Sequence, residues 1–142
     1  MLIIEQKPKQ LMTEDALTTF PDECCGFIFG AEDANGDRLI QKITVVDNSK
    51  AGDKTRRFEI APLDYLKAEQ YADDNGLTLL GVYHSHPKHP PIPSETDRMA
   101  AQPWFSYIII STLDDRTTHF RSWRLNEEEQ FEEEKIADYQ FT

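Results

Sequence analysis

Three histidines, four prolines and an aspartate are crowded into the stretch GVYHSHPKHPPIPSETD, residues 81–97. His84 and His86 stand two apart, and on a β-strand such residues project from one face, so both imidazoles can reach a single ion. Pro87, Pro90, Pro91 and Pro93 then fix φ and remove backbone donors. The result is a stiff, extended segment able to present an oxygen ligand from Asp97 at a defined place. Two imidazoles and a carboxylate, with a fourth position left to water, form a catalytic zinc donor set rather than a closed structural one. Each part also has a plainer reading. An H-x-H pair serves equally as a polar strand end facing solvent, and Ser94 followed three residues later by Asp97 is a capping box that starts a helix. Cap and ligand are compatible roles for the same aspartate.

Hydrolysis at such a centre needs a general base, usually a carboxylate, from elsewhere in the fold. Glu23 heads the apolar, glycine-bounded run CCGFIFG, where burial would raise its pKa into a useful range; the alternative is an exposed acid at a strand start. Cys24 and Cys25 could complete a Cys2His2 site, but adjacent strand residues point to opposite faces, and both read better as small buried hydrophobes. A disulfide between sequence neighbours is geometrically awkward. His89 in the proline-rich loop and His119 at the head of a later strand read as surface or packing residues, with a place near the cleft entrance open to His89.

The elements that must position these groups are legible in outline. Residues 2–5 read as a short strand. A helix around TEDALTTF, beginning at Thr13, carries Leu11, Ala16, Leu17 and Phe20 at helical spacing, with acids in its first turn and Pro21 beyond its end. CCGFIFG (24–30) and LIQKITVV (39–46), joined through Asn35-Gly36, predict a hairpin. A polar loop, 48–57, expected to be mobile, leads into a predicted strand RFEIA. A helix over 63–72 ends before Asn75-Gly76. Buried strands follow at 77–86 and 105–112, with a short helix at SETDRMAAQ between them, and 119–125 alternates like a half-buried strand. The tail from 126 reads as an acidic solvated face on a helix or strand. Strands and helices interleave without a regular βαβ rhythm, which predicts an α+β domain with a mixed sheet and helices on its faces.

Composition narrows the function classes. A chain of 142 residues fits one domain, 1–142. The formal charge of −11 argues against nucleic acid and anionic membrane surfaces, both of which demand Lys/Arg patches. An acidic surface also suits a high-salt habitat, which would show as a stability gain in molar salt. The apolar runs are far shorter than the roughly 20 residues of a membrane span, and the start MLIIEQKPKQ lacks the pattern of a signal peptide. The expectation is a cytoplasmic protein. There is no glycine-rich phosphate loop and no G-x-S-x-G elbow.

PDECCGFIFG, followed some sixty residues later by GVYHSHPKHPPIPSETD, resembles the JAMM (MPN+) zinc metalloprotease family, with its upstream Glu and its H-[ST]-H-P, Pro-Ser and Asp elements. Ten residues separate His86 from Asp97, as the family pattern asks. The resemblance implies a curved mixed sheet of cytidine-deaminase-like MPN architecture. It also implies Zn2+ ligands at His84, His86 and Asp97, Glu23 as general acid/base, and Ser94 as hydrogen-bond donor to the developing oxyanion. It further implies cleavage of a peptide or isopeptide bond after the C-terminal Gly-Gly tail of a ubiquitin-like or sulfur-carrier protein. The few residues between Asp97 and Phe105 leave no room for a long insertion, so the chain looks like the compact prokaryotic type, associated with release of an amino acid from a sulfur carrier. Two other classes stay open: a zinc-binding but catalytically idle module that docks an extended tail, and a metal-free α+β domain.

Overall fold

A computed structural model describes residues 1–137. Among these the chain forms one eight-stranded sheet: β1 (Leu2–Ile4), β2 (Cys25–Glu32), β3 (Arg38–Val46), β4 (Thr78–Pro87), β5 (Ser106–Thr112), β6 (Thr117–Leu125), β7 (Phe131–Glu134) and β8 (Ile136–Ala137). The helices are α1 (Gln6–Thr19), α2 (Pro62–Asn75) and α3 (Glu95–Ala100). The strand order is β7-β6-β5-β4-β2-β3-β1-β8. Since β7 and β8 form the two edges yet are joined by Lys135 alone, the sheet must curl to bring its ends together. Leu2 N–H donating to the Lys135 carbonyl at 2.8 Å helps to hold that closure. The β2–β4 pair is antiparallel and β4–β5 parallel, so the sheet is mixed, as expected.

β4 lies near the middle of the sheet, and its alternation, shifted by a bulge where Leu80 falls between the Phe29–Leu79 and Ile28–Gly81 pairs, sorts its residues between two cores. Leu80 and Tyr83 join Ile28, Ile108 and Ile110 on the face covered by α1, where Met12 and Ala16 are also buried. Val82 joins Phe27, Phe29 and Tyr107 on the face covered by α2 through Ala68 and Ala72. Gly26 is needed at one point of this packing. A Cβ there would lie 2.4 Å from the Tyr83 ring and 2.3 Å from the Thr44 carbonyl oxygen, so only glycine lets that ring cross β2.

Several elements differ from the sequence expectation. α1 begins at Gln6, seven residues before Thr13; Pro8 falls in its first turn, where a missing N–H removes no helical bond. That turn holds no acidic residue, contrary to the expected acids. The segment RFEIA is not a strand. Asn48 takes its place as the organiser, accepting from Glu59 N–H at 3.1 Å and donating to the Arg57 carbonyl at 3.0 Å. The 48–57 loop is thus tethered at both ends. α2 runs on to Asn75 and stops at Gly76 in the left-handed conformation, φ 64°.

The tail reading holds only in part: Glu132 and Glu133 are exposed on β7. Glu134 turns inward, with its side chain 6% exposed. It accepts from Ser106 and Ser122 hydroxyls at 2.8 and 2.9 Å. Residues 138–142 of that tail lie outside the described residues. No helix among the described residues is long and apolar enough to cross a membrane.

Candidate metal and catalytic centre

The centre is built where β4 runs past the end of β2. Cys25 is paired with His84, the last bridge between the two strands, so Glu23 stands just beyond the start of β2. Ser85, between the two histidines, turns to the opposite face. Its Oγ accepts from Cys24 N–H at 2.8 Å, and its own N–H donates to the Cys24 carbonyl at 3.2 Å. The residue that separates the imidazoles thereby ties down the backbone next to Glu23. Further bonds complete the tie: Glu23 N–H donates to the Lys54 carbonyl at 2.7 Å, and the Asn48 amide donates to the Glu23 carbonyl at 3.1 Å.

On the α2 face His84 and His86 come together. Their Nε2 atoms are 3.1 Å apart. The Asp97 Oδ2 lies 3.3 Å from His86 Nε2 and 3.4 Å from His84 Nε2. His86 Nδ1 sits 2.9 Å from the Pro90 carbonyl, which can only accept, so the hydrogen belongs on Nδ1 and the neutral ring presents a lone pair at Nε2. His84 is fully enclosed and stacks on Phe58, with ring centroids 4.4 Å apart.

Burial lowers the His84 pKa, which favours the neutral, ligating form. For His86 burial also lowers the pKa, but the Asp97 carboxylate and the Pro90 carbonyl outweigh it and the net shift is upward. Burial works to raise Asp97, yet the two imidazoles and the Ser94 N–H hold it far below the usual carboxylate range.

A donor set with tetrahedral bonds of about 2.0–2.1 Å has donor–donor edges of roughly 3.3–3.4 Å. The three observed edges match that figure closely. Two imidazole nitrogens and a carboxylate oxygen, all converging without hydrogens enough to pair them, are complemented by a cation. The residues therefore fit a zinc ion on both spacing and chemistry. Glu23 is the fourth member of the cluster: one of its oxygens and the two histidine nitrogens lie within 4.8 Å of one another. Glu23 is 3% exposed, and burial pushes its carboxyl up to about 8, with the Asp97 charge adding to the rise against the counter-effect of His86.

The capping box at Ser94 forms as well. Ser94 Oγ accepts from Asp97 N–H at 3.0 Å, and Asp97 Oδ2 accepts from Ser94 N–H at 2.9 Å. One aspartate starts α3 and faces both imidazoles. With its oxygen taken by the Asp97 N–H, the Ser94 hydroxyl hydrogen has no acceptor among the described residues and is available to a substrate. Cys24 and Cys25 are free and buried, facing opposite sides of the sheet as expected. His89 lines the cleft beside His86, whereas His119 is exposed on β6, paired with Ser111 away from the cluster. Sequence reasoning missed Phe58 and Asn48. The signal for Asn48, an Asx residue two positions past the strand ending at Val46, was present; Phe58 lay in RFEIA, read as a strand, and nothing local aimed it at a histidine.

The cluster sits on a divide between two cavities. One, of about 340 Å³, is bordered by His84 and Asp97 and is walled mainly by Phe58, Ile60, Tyr65, Val82, Tyr107 and Phe131. The other, of about 400 Å³, is bordered by Glu23, His86 and Ser94, with Arg56, Arg57 and His89 around it.

Comparison with known proteins bears on the family and the fold. Residues 6–126 match the family model described as prokaryotic homologues of the JAB domain. A desampylase of Pyrococcus furiosus is 31% identical over 81% of this chain and 75% of its own length. A CysO-cysteine peptidase of Mycobacterium tuberculosis is 29% identical over 88% of this chain and 83% of its own. Among solved structures, a JAB1/MPN domain protein from Archaeoglobus fulgidus superimposes with a TM-score of 0.61 over 99% of this chain and 100% of that one, at 18% identity, and so speaks to the fold alone. The curved mixed sheet, the helices on its faces and the matched span together place this chain in the Prok-JAB family, the prokaryotic branch of the JAB/MPN domains.

Proposed function

We propose that this chain is a zinc-dependent JAMM-type hydrolase that cuts the peptide or isopeptide bond after the C-terminal Gly-Gly tail of a ubiquitin-like or sulfur-carrier protein, and that it works in the cytoplasm with residues 1–142 acting as one domain. The observation that carries the reading is the triangle of His84 Nε2, His86 Nε2 and Asp97 Oδ2, with a buried Glu23 carboxyl oxygen within 4.8 Å of the two histidine nitrogens. The relatives named desampylase and CysO-cysteine peptidase support the substrate class.

His84, His86 and Asp97 would hold the zinc ion. When bound, zinc polarises a carbonyl and brings the pKa of water near neutrality. The chain's own groups do the rest. Glu23 takes a proton from the attacking water at a carboxylate oxygen and returns it to the departing amine, a role that asks for a carboxyl whose pKa burial has moved toward the working pH. Ser94 donates its free hydroxyl hydrogen to the carbonyl oxygen as negative charge gathers there. The apolar cavity excludes water from one side of the scissile bond, and the non-strand backbone at 58–60 lies along it, suited to an extended tail.

The experiment is to load the chain with zinc and offer it a ubiquitin-like carrier extended beyond Gly-Gly. Turnover together with about one zinc per chain is the expected result. His84→Ala should lose both the metal and the thermal stabilisation that zinc confers, about 4 kcal/mol at a thousandfold excess over Kd. A metal-loaded wild-type chain that cleaves no such carrier would overturn the reading.

A further inference from the structure

In a chain of net charge −11, Lys50, Lys54, Arg56 and Arg57 place four of the fifteen basic residues in one short loop. That loop overhangs the cleft. Arg56 and Arg57 line the cavity that also holds Glu23, His86 and Ser94, with Arg57 at the divide and bordering the apolar cavity as well, and His89 faces them from the proline-rich segment. Among the described residues neither guanidinium is paired with a carboxylate. Arg57 Nη1 merely donates to the Arg56 carbonyl at 2.8 Å, while the neighbouring Lys50 is matched to Glu59 at 3.3 Å. Arg57 stands close enough to Glu23 for its charge to act on that carboxyl. The cavity is about 400 Å³, room for one or two residues rather than a folded domain.

Which side of the scissile bond this cavity serves follows from the chemistry. Glu23 must reach the departing amine, and Glu23 borders the cationic cavity but not the apolar one. The carrier tail therefore approaches along the apolar side, and the leaving group occupies the cationic side. A leaving group one or two residues long carries its own terminal charge about 3.5–7 Å from the bond that breaks. Guanidinium forks are suited to that charge, since they bind carboxylates bidentately.

Resting on the hydrolase reading above, we propose that Arg56 and Arg57, with His89 opposite, bind the free α-carboxylate of the residue being released. The chain is then a remover of one or two C-terminal residues from a carrier, in preference to a cutter of isopeptide bonds to a lysine inside another protein. The reaction is plain hydrolysis: water adds across the C–N bond, giving a carrier that ends in a Gly carboxylate and a free amino acid or dipeptide.

The test compares three substrates built on one ubiquitin-like carrier ending in Gly-Gly: the carrier extended by one residue with a free carboxylate, the same with a terminal carboxamide, and the carrier joined to a lysine ε-amine of a folded protein. The zinc-loaded wild type should favour the free acid over the carboxamide by about 10- to 100-fold in kcat/KM, with the isopeptide slower still. In R56Q/R57Q the ratio of acid to carboxamide should fall toward one, and R56K/R57K should restore part of it. A loop that acts only as structure would shift both substrates alike and leave the ratio where it was. Equal rates on acid and carboxamide in the wild type, or a ratio that survives R56Q/R57Q, would overturn the carboxylate site while leaving the hydrolase reading in place. Cleavage of none of the three would remove the hydrolase reading and this site with it.

Discussion

β4 carries buried polar groups on both of its faces, and the two faces treat them in opposite ways. Toward α1, Tyr83 donates its hydroxyl to Asp15 at 2.8 Å and Ser85 accepts from the Cys24 N–H; each polar atom is matched by a protein partner. Toward α2, the Nε2 atoms of His84 and His86 and the Asp97 Oδ2 converge on one another, His84 Nδ1 has no protein partner, and Glu23 is buried beside them with its carboxyl pushed up. The same strand thus holds a satisfied polar cluster and an unsatisfied one, separated by the thickness of a backbone. The first stabilises the fold; the second has the arrangement that the proposed metal and proton-transfer roles require.

The comparison can be broken most sharply at Glu23. Glu23→Gln should keep zinc and fold while turnover falls by roughly 10²–10⁴; a variant with near-normal turnover, measured alongside metal content, would remove the assigned role. Ser94→Ala should come next. Loss of an oxyanion donor lowers kcat by about 10²–10³ with zinc retained. Loss of the cap costs only about 1 kcal/mol in denaturant unfolding, so a drop in stability without a drop in kcat would assign Ser94 to the cap alone.

A smaller effect should appear in the metal-free chain. Its Glu23 carboxyl titrates at about 8 in the folded state against 4.5 when exposed. The proton is therefore held by the folded state and released by the unfolded one between these values. Stability should fall as pH rises from about 4.5 to about 8 and level off above. Glu23→Gln should cancel that slope, gaining on the order of a few kcal/mol at pH 8 and nothing below pH 4.5. Parallel wild-type and variant curves in urea titrations across that range would contradict it.

The smallest change is expected on the other face. Tyr83→Phe strips Asp15 of a partner and should cost about 1–2 kcal/mol, with kcat/KM altered less than threefold. A larger loss of activity would mean that the two faces are coupled through β4.

What the sequence made legible here was local. The period-2 spacing of His84 and His86, the capping box at Ser94 and the turn at Gly76 each declare themselves within a few residues, because their physics is that of neighbours. The pairing of Glu23 with the histidines was reached through a family resemblance, since nothing in the spacing itself says that residues some sixty apart will meet. Phe58 against His84 and the inward turn of Glu134 toward Ser106 and Ser122 depend on which strands pair, and a one-dimensional pattern does not carry that. RFEIA failed as a strand for the same reason: its alternation was right, but the folded chain supplies Asn48 instead of a partner strand.

The register that seats Cys25 opposite His84 has one more consequence, for the order of events during folding. The H-x-H and its aspartate are close in sequence, so an unfinished chain can already gather metal weakly. Glu23 joins them only when β2 and β4 close a loop of about sixty residues, among the later and entropically costlier contacts. Under the proposed roles, the metal-binding pair can assemble locally while the proton-transferring carboxyl takes its place only with the paired strands, so hydrolytic competence is expected to coincide with a complete sheet.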